Sequence, residues 1–181
     1  MSIDRTGPMN AAVAAAAFGP LRPMVDADLE QVLAWRNHPD IRAHMYTQHE
    51  ITLEEHRGWW ARVKDAPKVA LFIYERAGQP LGYVAFSEIA RGPDTATWGF
   101  YTAPDAQKGT GALMRFAAMD MAFGALALRK LNAEVIGCNT ASLRLHESFG
   151  CQREGLFRDQ VLIGDALNDV VRLALFARDW A

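Results

Sequence analysis

Cysteine is scarce: Cys138 and Cys151 are the only two in 181 residues. Two thiols without paired histidines exclude a disulfide framework and a zinc site, and they suit a reduced, cytoplasmic protein. His38, His44, His49 and His56 carry no metal expectation either, since none of their spacings is the four residues that put two ligands on one helix face. Long apolar runs are missing, and nothing approaches the ~18 residues of a transmembrane helix. The alanine-rich segment 10–18 is short and has only Arg5 as a basic flank, a poor match to a signal peptide. Excess charge is also absent: the net charge is −2, which excludes a global field drawing the chain to nucleic acid or anionic membrane. Half of the residues are apolar, enough for one domain with a sizeable core. Residues 1–17 read as a mobile or weakly helical tail, and 18–181 as the domain.

Phe18–Met24 reads as a first strand. Asp26 is expected to cap a helix with Leu29, Val32 and Leu33 on one face, ending at Asn37-His38-Pro39. Thr52-Leu53-Glu54-Glu55 is a capping box opening a second helix that carries His56, Trp59, Trp60 and Val63. Met45-Tyr46-Thr47-Gln48, polar and aromatic without periodicity, is a candidate binding loop. Lys68–Glu75, Pro80–Ala90 and Thr95–Thr102 read as strands joined by hairpin turns. A helix of about five turns spans Thr110–Leu128. Strand Lys130–Cys138, helix Thr140–Phe149 and strands Gln152–Leu162 and Asn168–Arg178 complete the chain. The strand–helix–strand unit 95–138 demands a parallel pair inside an otherwise antiparallel sheet.

Within that unit, Lys108-Gly109-Thr110-Gly111-Ala112 links a strand to the long helix. Closely spaced glycines allow positive φ and close backbone approach, and a helix start offers unpaired N–H groups to an anion. The segment reads as a phosphate cradle. It is neither a dinucleotide fingerprint, since Met114 stands where a third glycine belongs, nor a P-loop.

The element order, Gly109-Thr110-Gly111 after the fourth strand and Asn139-x-x-Ser142-x-x-x-His146-Glu147-x-x-Gly150 after the fifth together resemble the GNAT acetyltransferase superfamily. The resemblance implies an α/β (α+β) fold: a mixed, mostly antiparallel sheet of about seven strands, helices on both faces, and strands four and five splayed around acetyl-CoA. It implies cofactor contacts at Trp98, Gly99 and Phe100 for the pantetheine arm, at Lys108, Gly109, Thr110, Gly111 and Ala112 for the pyrophosphate, and at Asn139 and Ser142. Where the family loop carries Arg or Gln, three residues before the first glycine, this chain has Ala106. Trp35-Arg36-Asn37-His38-Pro39, Met45-Tyr46, Gly82-Tyr83-Val84 and Trp98-Gly99-Phe100-Tyr101 further resemble the N-acetyltransferases of pseudaminic acid biosynthesis. That implies transfer to the 4-amino group of a UDP-linked amino-dideoxy sugar, a small-molecule nucleotide-sugar partner, and no nucleic acid or membrane. A homodimer stays open.

Many family members place a Tyr seven residues after the Asn that follows the fifth strand, and here that residue is His146. An imidazole can protonate a departing thiolate, which makes His146 the expected general acid. For the base, water or weak assistance from Glu88 is expected to suffice, with Ser87 beside Glu88 at the amine. Arg36, Met45, Tyr46, His56 and Trp59 are the expected acceptor contacts, because aromatic faces stack bases and Arg grips a diphosphate. Trp59 and Trp60 are adjacent, so both cannot face the core. Competing readings are an N-terminal amino-acid acetyltransferase, which an acidic cleft would mark, and a non-catalytic acetyl-CoA-binding protein.

Overall fold

The computed structural model describes residues 18–180; the expected tail, residues 1–17, lies outside them. The elements are β1 (Leu21–Pro23), α1 (Leu29–Asn37), α2 (Pro39–Arg42), α3 (Leu53–Val63), β2 (Ala70–Arg76), β3 (Gln79–Ala90), β4 (Thr95–Thr102), α4 (Thr110–Asp120), β5 (Lys130–Ile136), α5 (Thr140–Glu147), β6 (Gln152–Ile163) and β7 (Ala166–Phe176). They form a seven-stranded sheet in the order β1-β2-β3-β4-β5-β7-β6. Every neighbouring pair is antiparallel except β4–β5. The expected mixed sheet with one parallel pair is the fold observed.

That pair is brief. Thr95, Ala96 and Thr97 oppose Lys130, Leu131 and Asn132, and no pairing follows. From Trp98 onward the strands diverge, while β4 stays paired to β3 as far as Thr102↔Gly82. Divergence frees one row of backbone groups on each strand, and buried groups of that kind need partners. The sheet therefore carries a built-in slot at the C-terminal end of β4.

Two cores flank the sheet. On one face α1 and α3 bury Val32, Trp35 and Trp60 against Ile73 and Tyr83. On the other, α4 and α5 bury Met114, Ala118 and Leu143 against Val84, Trp98 and Leu131. Met114 is fully buried and lies over Gly82, where an added Cβ would sit 2.5 Å from Met114 Sδ. The residue that breaks the dinucleotide fingerprint is thus a core residue, and a glycine under it lets α4 lie close to the sheet.

Two sequence expectations fail locally. Asp26 does not cap α1: it starts a short 3-10 turn (Asp26–Asp28), and its carboxylate instead accepts a hydrogen bond from the Trp60 indole. Asp28 takes the local role, accepting from Val25 N–H at 2.8 Å while held by Arg22 at 2.7 Å. The five-turn helix also ends early. Regular α-helix stops at Asp120 and a wider turn (Met121–Ala125) carries the chain to β5.

Candidate active site

The slot opens into a cleft of about 1100 Å³ between the splayed strands and the α1–α3 segment. Its floor is β4, contributing Trp98 through Thr102, and its far wall is Ala133 through Ile136 of β5. At one end stands the start of α4. Gly109 has φ +97°, a left-handed conformation that favours glycine, and no atom lies within 4 Å of where its Cβ would be. Among the described residues, the N–H groups of Lys108, Gly109 and Gly111 donate to no carbonyl. Three unspent donors at a helix N-terminus are what a phosphate requires. Ala106 turns inward and packs against the α1–α3 core, so the family's Arg or Gln side chain has no counterpart here.

At the middle of the slot, Asn139 caps α5 by accepting from Ser142 N–H at 3.0 Å. Both line the cleft, together with His146 two turns on. His146 is almost wholly buried, edge-on to Trp98 with ring centroids 5.5 Å apart. Its Nδ1 lies 2.8 Å from the Ser142 carbonyl oxygen. A carbonyl only accepts, so Nδ1 holds the proton and Nε2 presents a lone pair. Burial holds the His146 imidazole below its ordinary value, with the Arg115 charge adding to that effect and the Ser142 hydrogen bond opposing it.

The other half of the cleft is built by the loop between α2 and α3. Asn37 clasps that loop twice, donating to Ile51 O at 2.8 Å and accepting from Ile51 N–H at 2.9 Å. Thr52 and Glu55 form the expected capping box and set the pitch of α3. On α3, Trp60 goes into the core and Trp59 faces the cleft, stacked on His56 with centroids 4.9 Å apart. The His56 Nε2 is buried and has no hydrogen-bond partner among the described residues. Arg36 reaches in from the end of α1: Nη2 donates to Thr47 O at 3.1 Å, while Nη1 is buried and unpartnered among the described residues. Burial pushes this guanidinium down from its ordinary value.

The structure therefore brings Trp98, Gly99, Phe100, Gly111, Asn139, Ser142, His146, Arg36, Met45, His56 and Trp59 into one cleft. Lys108, Gly109, Thr110 and Ala112 stand at the end where α4 begins, without lining the cavity. Tyr46 is half exposed, and its hydroxyl reaches across to donate to Glu134 of β5 at 2.9 Å. Ser87 and Glu88 are not brought in. A bulge between Ser87 and Ala90 breaks the β3–β4 register, and Glu88 sits there at φ +54°. Their side chains bond to Thr97, at the closed end of the slot. The expected base is thus displaced by a backbone irregularity that alternation alone does not reveal.

Among the lining residues not expected from sequence, Tyr83, Tyr101 and Glu134 carry the most chemistry. Tyr83 and Tyr101 are register partners on β3 and β4, stacked 5.0 Å apart on the face of the sheet that carries α1 and α3. Equal position on paired strands was the available signal. Glu134, the lone acid among Ala133, Val135 and Ile136, was visible as a polar interruption of an apolar strand.

Comparison with known proteins agrees with this geometry. The chain is 28% identical over 120 residues to an "Acetyltransferase PseH" of Campylobacter jejuni serotype O:23/36, covering 66% of this chain and 74% of that one. A second C. jejuni PseH, from serotype O:2, is 29% identical over the same length. Among solved structures, the spermidine N-acetyltransferase of Vibrio cholerae, in complex with CoA and spermine, superposes with a TM-score of 0.83 at 23% identity, over 88% of this chain and 96% of that one. The model of the acetyltransferase (GNAT) domain matches residues 20–152, spanning the slot, the glycine turn and α5. With both the splayed pair and the sequence pattern in place, the chain belongs to the GNAT family of N-acetyltransferases.

Proposed function

We propose that the chain transfers the acetyl group of acetyl-CoA to the amine of an anionic, nucleotide-linked amino sugar, of the type UDP-4-amino-4,6-dideoxy sugar. The observation that carries this reading is Arg36. A guanidinium half-buried in the acceptor side of the cleft, with Nη1 unpartnered, calls for an anion. Next to it, the exposed face of Trp59 and the stacked Tyr83 and Tyr101 suit a flat base.

A polyamine acceptor would need the opposite electrostatics. Of the three lining carboxylates, Glu55 is spent on the Thr52 cap and His49 and Glu134 on Tyr46 and Arg172, while Asp40 is turned out to solvent beside His38. The same count works against a cationic peptide N-terminus. The PseH relatives support the sugar reading, and the spermidine-acetylating neighbour shares the fold.

On the cofactor side the residues fit acetyl-CoA. The free N–H groups of Lys108, Gly109 and Gly111 would hold the pyrophosphate, and the unpaired edge of β4 from Trp98 to Phe100 the pantetheine arm. Asn139 and Ser142 bound the slot where the thioester would lie, beside His146. Acetyl-CoA supplies the activated acetyl group; the chain orients it and manages one proton.

The test is thiol release from acetyl-CoA with three acceptors: a UDP-4-amino-4,6-dideoxy sugar, spermidine and an N-terminal peptide. Turnover is expected with the sugar alone. Release with only spermidine or only peptide sinks the reading, and no release with any acceptor points to a non-catalytic acetyl-CoA-binding protein.

A further inference from the structure

We infer that His146 is a proton relay rather than a simple acid: its Nε2 takes a proton from the attacking amine nitrogen and returns that same proton to the departing sulfur. The inference rests on the reading that acetyl-CoA and an amine meet in this cleft. Its geometric core is the Ser142 carbonyl, 2.8 Å from Nδ1, which fixes the proton of the neutral ring on the nitrogen facing the helix. The nitrogen facing the cleft has a lone pair and no hydrogen-bond partner among the described residues. A neutral ring so oriented has nothing to donate to sulfur until it has accepted something.

The surroundings keep it in that state. From α4, the buried Arg115 has Nε and Nη1 unpartnered among the described residues, and its guanidinium lies 4.3 Å from the centroid of Phe149, the ring that packs 5.7 Å from His146. β4 presents only Trp98 and Phe100, and after α5 come Phe149 and the Cys151 thiol. Burial pushes the Cys151 thiol up to about 12, so it stays neutral and gives no anion to stabilise an imidazolium. No carboxylate faces the ring among the described residues. Arg115 is therefore a positioning residue for the charge state of His146.

The step balances without a further group. The neutral amine attacks the thioester carbon and the C–N bond forms, leaving the nitrogen with one proton too many. Nε2 accepts that proton. The C–S bond breaks with its electron pair on sulfur, and the imidazolium delivers the proton there. Amide and thiol leave, and His146 ends as it began. Nitrogen and sulfur are bound to one carbon at the midpoint, so a single ring nitrogen can serve both. The displaced Glu88 is not needed.

Two measurements test this. In the CoA complex, 15N NMR of His146 should show Nδ1 protonated and Nε2 bare at pH 7, and Arg115→Met should raise the pH at which the ring becomes doubly protonated. With the acceptor, kcat/KM should rise with pH and then level above the amine's own midpoint, because both ring and amine must be neutral. His146→Gln, checked for folding by CoA-induced thermal stabilisation, should lower kcat on the order of a hundredfold. A proton on Nε2 in the resting complex, or a kcat/KM that falls above the amine's midpoint, overturns the relay. The NMR result needs no acceptor, so it decides on the relay even if the sugar fails as substrate.

Discussion

The Tyr46 hydroxyl donates to Glu134 Oε2 at 2.9 Å, joining the loop between α2 and α3 to β5 across the mouth of the cleft and across 88 residues of sequence. Glu134 is steadied from its other side by Arg172, 2.8 Å away. The carboxylate and burial together push the Tyr46 phenol up to about 12, burial being the larger cause, so it remains a donor throughout the working pH range. Tyr46→Phe deletes only the bond. The acceptor KM should rise several-fold, at most about tenfold given partial exposure, with the acetyl-CoA KM unchanged. Steady-state kinetics against each substrate separately checks it, and equal changes in both would place the tie elsewhere.

Asn37 fixes the same loop from its base through its paired bonds with Ile51. Asn37→Ala leaves a part-buried N–H and C=O without their partner, at a cost of about 1–3 kcal/mol. For a chain of this size that corresponds to a Tm lower by about 2–4 °C per kcal/mol. Thermal unfolding, read beside the acceptor KM, should show both effects, because the residue holds the backbone that carries Met45, Tyr46 and Thr47.

These two residues mark where sequence reading succeeds and stops. Strand boundaries such as Thr95–Thr102, the Thr52 cap and the division of labour between Trp59 and Trp60 follow from local periodicity and capping, which are written in neighbouring residues. The left-handed turn at Gly109 and the helix start after it also followed from glycine spacing. What was illegible depends on contacts distant in sequence. Asp26 lost its cap role to a tryptophan 34 residues away. Glu88 was turned aside by a bulge, and a bulge shifts every later side chain to the other face. Tyr83 and Tyr101 look like ordinary strand aromatics until the β3–β4 register brings them together at the slot.

Arg36 separates the substrate classes. Arg36→Met should cut kcat/KM for a nucleotide-linked acceptor by about 10- to 100-fold, the range for losing a charge-assisted hydrogen bond. Arg36→Lys should recover only part of that, because a compact ammonium lacks the planar fork that grips a diphosphate. An uncharged amine acceptor should be nearly indifferent to both. If charged and uncharged acceptors lose equally, Arg36 serves the loop through Thr47 and not the substrate.

Two glycines predict different failures. An added methyl at Gly82 meets Met114 Sδ at 2.5 Å and Tyr101 O at 3.0 Å, so Gly82→Ala should destabilise the fold by ~1–3 kcal/mol, seen as a lower denaturant midpoint. Gly109 has open space around it but φ +97°. Gly109→Ala should strain the turn by about 1–2 kcal/mol, and relaxing that strain tilts the N–H groups away. Its signature is a raised acetyl-CoA KM with the acceptor KM intact, measured by varying each substrate at saturation of the other.

The Arg22–Asp28 pair gives a pH dependence of stability whose sign is set by the folded carboxyl. Burial acts to raise Asp28, but the hydrogen bonds from Arg22 and from Val25 N–H outweigh it and hold the carboxyl below its ordinary 3.8. A group depressed in the folded state adds stability above its unfolded value and loses it as pH falls through the folded one. Asp28→Asn should therefore lower Tm by a constant amount from pH 5 to 8, and the gap to wild type should narrow as pH drops below about 4. Arg22 also meets Glu75 at 2.6 Å, so Arg22→Met should lower Tm further than Asp28→Asn while following the same pH trend. Differential scanning calorimetry across pH 2.5–8 distinguishes this from a packing loss, which would leave a gap of equal size at both ends of that range.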